Sequence, residues 1–241
     1  MRGAWTLAVR EWKGAFETPV AWLLLALFPA TTAGFFFLLG GFFEAGEASL
    51  RGFFALLPGF FVVLAPALSM RSWAEEHRSG TRTLLFTWPF PEASLVLGKF
   101  LGGLGLLALA LAATAGVPLT VATLGDLDPG PVAGGYLGAL LLGSACLALG
   151  QFLSACTRNQ VVAWVLGVLA LLGLNLLGVA ATAEAMPERL GRLLLGLDFG
   201  LRFQDLTRGV LALDDLGFFA AFTAFFLFLN VLLLEARRWS G

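Results

Sequence analysis

Six stretches of this 241-residue chain run almost without an ionisable side chain, and each is long enough to cross a bilayer. They are Val20–Gly40, Phe53–Met70, Ala93–Leu124, Val132–Ala155, Val161–Ala183 and Leu216–Leu234, and Lys99, near the start of the third, is the one charge in them. About 18 to 20 apolar residues cover the roughly 30 Å of hydrocarbon in a membrane when they are helical. Lipid offers no partner to a bare N–H or C=O, and the runs lack the alternation of barrel strands, so helix is the conformation left to them. The fold class is therefore all-α: a polytopic membrane protein with six transmembrane helices in one domain, residues 1–241. A composition of 59% hydrophobic and 13% charged residues agrees with that class.

The first run follows some 19 residues containing Arg2, Arg10 and Lys13, and it is too long and lacks a small-residue cleavage site, so the first span is expected to be retained rather than removed as a signal peptide. Residues 1–18 pattern as an interfacial amphipathic helix. Trp5, Val9, Trp12 and Phe16 fall on one face while Thr6, Arg10, Lys13 and Glu17 fall on another. Pro19 then permits a turn into the first span. Six spans leave both termini on one side. That side holds Arg2, Arg10, Lys13, Arg71, Arg78, Arg82, Lys99, Arg158, Arg237 and Arg238, against Arg51, Arg189, Arg192, Arg202 and Arg208 opposite. The positive-inside rule places the richer set, and both termini, in the cytoplasm.

The opposite side carries the long loop 184–215. Leu190, Leu193, Leu194 and Leu197 recur at helical spacing, and Phe199, Phe203, Leu206 and Val210 do so again, which predicts short amphipathic helices on the outer face. They suit a structural lid or a gate that touches substrate, and spacing does not choose between these.

Several chemistries are excluded. Gly98-Lys99-Phe100 is the nearest approach to a phosphate-cradling GxxxxGK[ST] loop, and it lacks both the upstream glycine, because residue 93 is Ala93, and the hydroxyl after the lysine. Ser144 lacks a nucleophile-elbow glycine and an intramembrane histidine to act as its base. Cys146 and Cys156 show no metal or redox spacing and read as packing residues. No basic stripe with interleaved aromatics suggests nucleic acid. No catalytic, cofactor or metal site is expected in this chain. An ion-coupled transporter needs charged groups at membrane depth, and the span interiors lack them. Their polar residues Thr31, Thr32, Thr114, Thr120, Asn175 and Asn230 are expected to make helix-to-helix hydrogen bonds. A chain of this kind has no energy source of its own.

Between the second and third runs, "EEHRSGTRTLLF" packs five ionisable side chains, including the one histidine, into Glu75–Arg82. Trp73, Glu75, Glu76, His77 and Arg78 read as a helix carrying the second span out of the membrane. Ser79-Gly80 breaks it, Thr81 caps a following short helix, and Pro91-Glu92 opens the third span. Residues 71–92 thus form a stiff charged protrusion, suited to docking a soluble protein, or a solvated loop with capping charges.

"SMRSWAEEHRSGTRTLLFTWPFPEASLVLGKFLG" resembles the loop after the second span in permease subunits of type-2 ATP-binding-cassette (ABC) transporters. "GGYLGALLLGSACLALGQFLSACTRNQVVAW" and "LDFGLRFQDLTRGVLALDDLGFF" are similar to the fourth-to-fifth span region and the outer loop of the gliding-motility branch of that class. One departure is Asp198, where the branch has a histidine. The resemblance implies a permease subunit in a prokaryotic inner membrane, paired with an identical or related second permease and docked on a separate ABC ATPase that binds ATP and Mg. It assigns ATPase coupling to Glu75, Glu76, Arg78, Gly80 and Thr81, and a second cytoplasmic contact to Thr157, Arg158, Asn159 and Gln160. The apolar span interiors favour an amphiphile, a lipid-linked molecule, or force passed to an extracytoplasmic partner, over a small ion, as its work in the membrane. The rival reading is a non-transporting anchor or scaffold that uses the same loop to hold a cytoplasmic partner.

Overall fold

A computed structural model describes residues 2–79, 91–181, 187–207 and 213–239, and all of the regular structure among them is helical. Gly80, Thr81, Arg82 and Val210 therefore lie outside the described residues, as do the side chains of His77 and Arg78. The N-terminal helix α1 (Arg2–Phe16) turns at Glu17 and Thr18 into α2 (Pro19–Gly34), which widens into a π-helical turn at Phe35–Leu39. A short α3 (Phe42–Ala45) leads to α4 (Arg51–Ser69) and, after a bend at Met70, to α5 (Arg71–Ser79). The next long helix, α6 (Glu92–Ala113), starts directly after Pro91 and is followed by α7 (Gly116–Leu124), α8 (Pro129–Cys156) and α9 (Gln160–Asn175). Short helices α10 (Leu177–Ala181), α11 (Glu188–Leu197) and α12 (Phe199–Thr207) precede the last helix, α13 (Leu213–Trp239).

Among the described residues, five helical stretches are long and apolar enough to span a membrane: Ala21–Leu39, Arg51–Glu76, Glu92–Leu124, Pro129–Cys156 and Leu213–Ala236. The fifth apolar run of the sequence behaves differently. Its helix Gln160–Asn175 is only 16 residues long before the chain turns at Leu176 and restarts as α10. The third run is longer than one straight crossing needs, and it breaks. Thr114 and Ala115 close tight turns onto Leu111 and Ala112, and the Thr114 hydroxyl bonds back to the Leu111 carbonyl at 2.6 Å, a contact that bends helices.

α8 is the central post, packed against α4, α6, α9, α12 and α13. Lipid is as apolar as leucine, so helices associate there by close packing of small residues rather than by expulsion of water. α8 supplies Gly134, Gly135, Gly138, Ala139, Gly143, Ala145 and Ala148 along its buried length. Phe53, Phe54, Leu57 and Phe61 of α4 fill the space this opens on one side, and Phe203 and Leu206 of α12 press on Gly138 from another. The second predicted stripe of the outer loop is therefore core: Phe199, Phe203 and Leu206 are fully buried. The first is not, since Leu190, Leu193 and Leu197 of α11 are exposed.

Of the polar residues in the spans, Thr114 bridges two helices, 2.9 Å from the Tyr136 hydroxyl of α8. Thr31, Thr32, Thr120 and Asn175 instead bond to carbonyls one turn back in their own helices, contrary to the expectation of helix-to-helix bonds. A hydroxyl or amide that can reach its own i−4 carbonyl is satisfied without a partner helix. Asn230 is buried with neither amide atom hydrogen-bonded. Tyr136→Phe removes the bond to Thr114 and is expected to lower unfolding stability by about 0.5–1.5 kcal/mol, read by denaturant titration in mixed micelles.

Candidate functional site

At the end of the bundle where α1 lies, the sequence places glycines at positions 98 and 102 of α6, and the reason is physical contact with α1. A Cβ added at Gly98 would sit 2.7 Å from the Cβ of Leu7 and 3.1 Å from the Ala4 carbonyl; one at Gly102 would sit 2.9 Å from the Cβ of Glu11. Nothing larger than glycine lets the two backbones come so close. The face of α1 that is buried is accordingly Ala4, Leu7 and Ala8, whereas Trp5 is 66% exposed. Trp12 is partly exposed and lies over Gly105, and its ring meets Phe16 edge-on at 5.4 Å. Phe16 in turn meets Trp22 of α2 at 5.5 Å, and the Trp22 indole donates to the Phe16 carbonyl at 3.1 Å. The aromatic stripe read from the sequence thus holds the α1–α2 corner at its C-terminal end and is open at its N-terminal end.

Between Gly98 and Gly102, Lys99 points across α6 to two acids on two other elements. Its Nζ is 2.9 Å from Glu11 Oε1 of α1 and 2.6 Å from Glu76 Oε1 of α5, with the Trp73 ring centroid 5.2 Å away. Lys99 is only 8% exposed. An ammonium so buried is tolerable when carboxylates satisfy it, and here each carboxylate belongs to a separate helix. Glu76 keeps its second oxygen, Oε2, buried and without a hydrogen-bond partner.

The other side of α5 is tied to α8. Ser154, fully buried, donates its hydroxyl to the Met70 carbonyl at 2.9 Å and accepts from the Trp73 and Ala74 N–H groups at 3.2 Å each. One serine therefore satisfies the bend between α4 and α5 and the first turn of α5, whose N–H groups have no helical partner. One turn earlier on α8, the Gln151 side chain donates to the Val96 carbonyl of α6 at 3.1 Å. Trp73 and Ala74 are buried against this frame, and Glu75 faces outward.

Of the nine residues expected to contact an ATPase, Glu75 is exposed on α5, while Glu76 is turned inward onto Lys99. In the second stretch, Asn159 caps α9 by accepting from Val161 N–H at 2.9 Å, and its own N–H donates to Thr157 Oγ1 at 3.2 Å. Arg158 between them is exposed and Gln160 begins α9. Thr157 and Asn159 thus have a local capping role, which the pattern N-x-[apolar] after a small-residue helix end already signals. The pairing of Lys99 with Glu11 was not foreseen; a lone lysine at a span boundary, framed by glycines, is the signal that could have found it.

At the opposite end, Asp198 is 3% exposed and clips two elements together. It accepts from the Gly178 N–H of α10 at 2.6 Å and from the Leu201 N–H in the first turn of α12 at 2.7 Å. Arg202 donates to the Gly196 carbonyl at 2.6 Å and to Asp215 Oδ1 of α13 at 3.0 Å, and its guanidinium lies 4.2 Å from the Phe218 ring centroid. A short carboxylate in place of the expected histidine suits this position because it accepts two backbone N–H bonds at once. Among the described residues no three His, Cys, Asp or Glu side chains gather as metal ligands, and neither Cys146 nor Cys156 is in a disulfide.

The family profile described as ABC-2 family transporter protein matches residues 5–236, almost the entire chain. The chain belongs to that family, and it is an integral membrane protein of the ABC-2 permease type, a type that works with an ATPase in a partner subunit. No curated protein matches the sequence.

Lys99→Met strands Glu76 beside a buried apolar side chain and is expected to destabilise the protein by about 3–5 kcal/mol in micelle unfolding titrations. The triple variant Lys99→Met/Glu11→Gln/Glu76→Gln removes all three charges together and is expected to recover most of that loss. Equal losses in the two variants would show that the ion cluster does not hold this end of the bundle.

Proposed function

We propose that this chain is one permease half of an exporter-type ABC complex, in which a separate ATPase subunit docks on α5 and the segment after it. The observation that carries the reading is the anchoring of α5: Lys99 ties it to α6 and α1, and Ser154 ties it to α8. A push on α5 from outside the membrane then reaches three helices at once without first deforming a flexible linker. In this reading Glu75, Arg78, Gly80 and Thr81 face the ATPase, Arg158 makes the second contact, and Glu76 passes motion inward through Lys99.

The rest of the proposal follows from the family and the charge pattern. The short α9 and α10 together form a fifth crossing, which gives six spans with both termini in the cytoplasm of a prokaryotic cell. A second permease, identical or related, completes the pathway; ATP and Mg are bound by the ATPase. The work done is export of an amphiphilic molecule, or force delivered to an extracytoplasmic partner as in the gliding-motility branch. Exposed Trp5 and the leucines of α11 sit in the two membrane interfaces, where amphipathic groups are favoured.

The test is reconstitution with a partner ABC ATPase. Glu75→Arg is expected to reduce permease-stimulated ATP hydrolysis by about tenfold or more, equivalent to about 1.4 kcal/mol of lost coupling, while the basal turnover of the ATPase alone is unchanged. Stable docking with ATP turnover indifferent to the permease would favour the scaffold reading instead.

A further inference from the structure

A cleft of about 770 Å³ opens beside the Lys99 cluster, walled by α1, α2, α4, α5 and α6. Its lining is graded. At one end lie charged groups from α1 and α5, among them Arg10, Lys13 and Arg71; towards the middle of the bundle the walls become Leu24, Ala67, Leu68 and Leu106. Leu24 lies deeper in α2 than its start at Pro19, Ala67 and Leu68 lie one turn inside Arg71, and Leu106 lies two turns beyond Lys99. Such a cleft is polar at the membrane surface and apolar at acyl-chain depth.

Among the described residues the polar end is neutral. Four cations and four carboxylates of the described lining border it, and Lys99 is already held by two of the acids. An anionic headgroup would call for an excess of basic residues, which the described lining lacks. Two groups are left over, and they are of opposite kind. The Nε of Arg71 is a buried donor without a hydrogen-bond partner, and Oε2 of Glu76 is a buried acceptor without one. Unmade hydrogen bonds at buried charged groups are costly, so a ligand that supplies both missing partners is favoured. Both residues line the cleft, Arg71 half-buried and the Glu76 side chain 17% exposed, so a headgroup bound there would have to draw these two atoms towards it.

We infer that this cleft binds one zwitterionic phospholipid with a primary amine, its phosphate received by Arg71, its ammonium by Glu76, and an acyl chain laid along Ala67, Leu68 and Leu106. An ethanolamine headgroup matches both leftovers: its phosphate accepts from a guanidinium, and its ammonium donates N–H bonds to a carboxylate. A choline headgroup has a phosphate and no N–H; a glycerol headgroup has no cation. The inference concerns a lipid held at the α1–α5 junction and is independent of any ATPase partner.

Native mass spectrometry of the detergent-purified chain, with phosphatidylethanolamine, phosphatidylcholine, phosphatidylglycerol or inorganic phosphate added in turn, tests it. Phosphatidylethanolamine adducts are expected to exceed the other lipids by at least about fivefold at equal concentration, and Arg71→Gln to reduce them to the phosphatidylcholine level. Ala67→Phe, which fills the apolar end and leaves every charge in place, is expected to abolish the adducts at an unchanged unfolding midpoint, and it serves if Arg71→Gln does not fold. Equal retention of phosphatidylcholine or phosphatidylglycerol, retention in Ala67→Phe, or displacement of lipid by inorganic phosphate alone would overturn the assignment.

Discussion

A lysine ammonium held 2.9 Å and 2.6 Å from carboxylates of two different helices is the contact on which this end of the protein depends. A buried charge loses several kilocalories per mole of hydration, and only well-placed partners offset that loss. Because Glu11 comes from α1 and Glu76 from α5, neither helix can leave α6 without stranding a charge in an environment that punishes it. The pair differs from a surface salt bridge, which is worth little and is readily broken. Here it fixes the relative position of three elements that are separated in sequence by 88 and 23 residues, and it does so at the boundary where the apolar spans begin.

The surrounding packing makes that contact possible. Gly98 and Gly102 bring the α1 backbone close enough for the short reach of Glu11, and the Ser154 hydroxyl fixes the bend at Met70 that turns Glu76 inward. α8, which carries Ser154 and Gln151, also forms the core against α4, α12 and α13. The proposed stroke therefore enters at a helix whose first turn is bonded to the central helix of the fold. At the far end, the Asp198 clip and the Arg202–Asp215 bond tie the outer helices to α13, so both ends of the bundle are closed by polar contacts and the middle by small residues.

Much of this was legible in the residues. Length and the absence of charge gave the membrane helices, Pro91-Glu92 gave the start of α6, and Phe199, Phe203 and Leu206 recurred at helical spacing because they bury one face of α12. The orientation of α1 was not legible from its hydrophobic stripe. In a membrane, a face turned to lipid and a face turned to another helix are both apolar, so Trp5 and Trp12 marked the helix as amphipathic while the smaller Ala4, Leu7 and Ala8 made the contact. The break at Thr114 and the short α9 were hidden for a similar reason: an unbroken apolar run does not say where its backbone bends. The threonines of the spans satisfied themselves locally, which residue type alone does not reveal.

If α1, α5 and α6 move as one body, the distance between α1 and α5 is the quantity to follow. Spin labels at Trp5→Cys and Ser72→Cys, in a Cys156→Ser background, would report it by pulsed electron resonance in the reconstituted complex. The account predicts one narrow distance distribution that stays the same with and without trapped ATP, and that broadens when Lys99→Met is added. A distance that shifts with nucleotide in the otherwise unchanged chain, or that is indifferent to Lys99→Met, would contradict it.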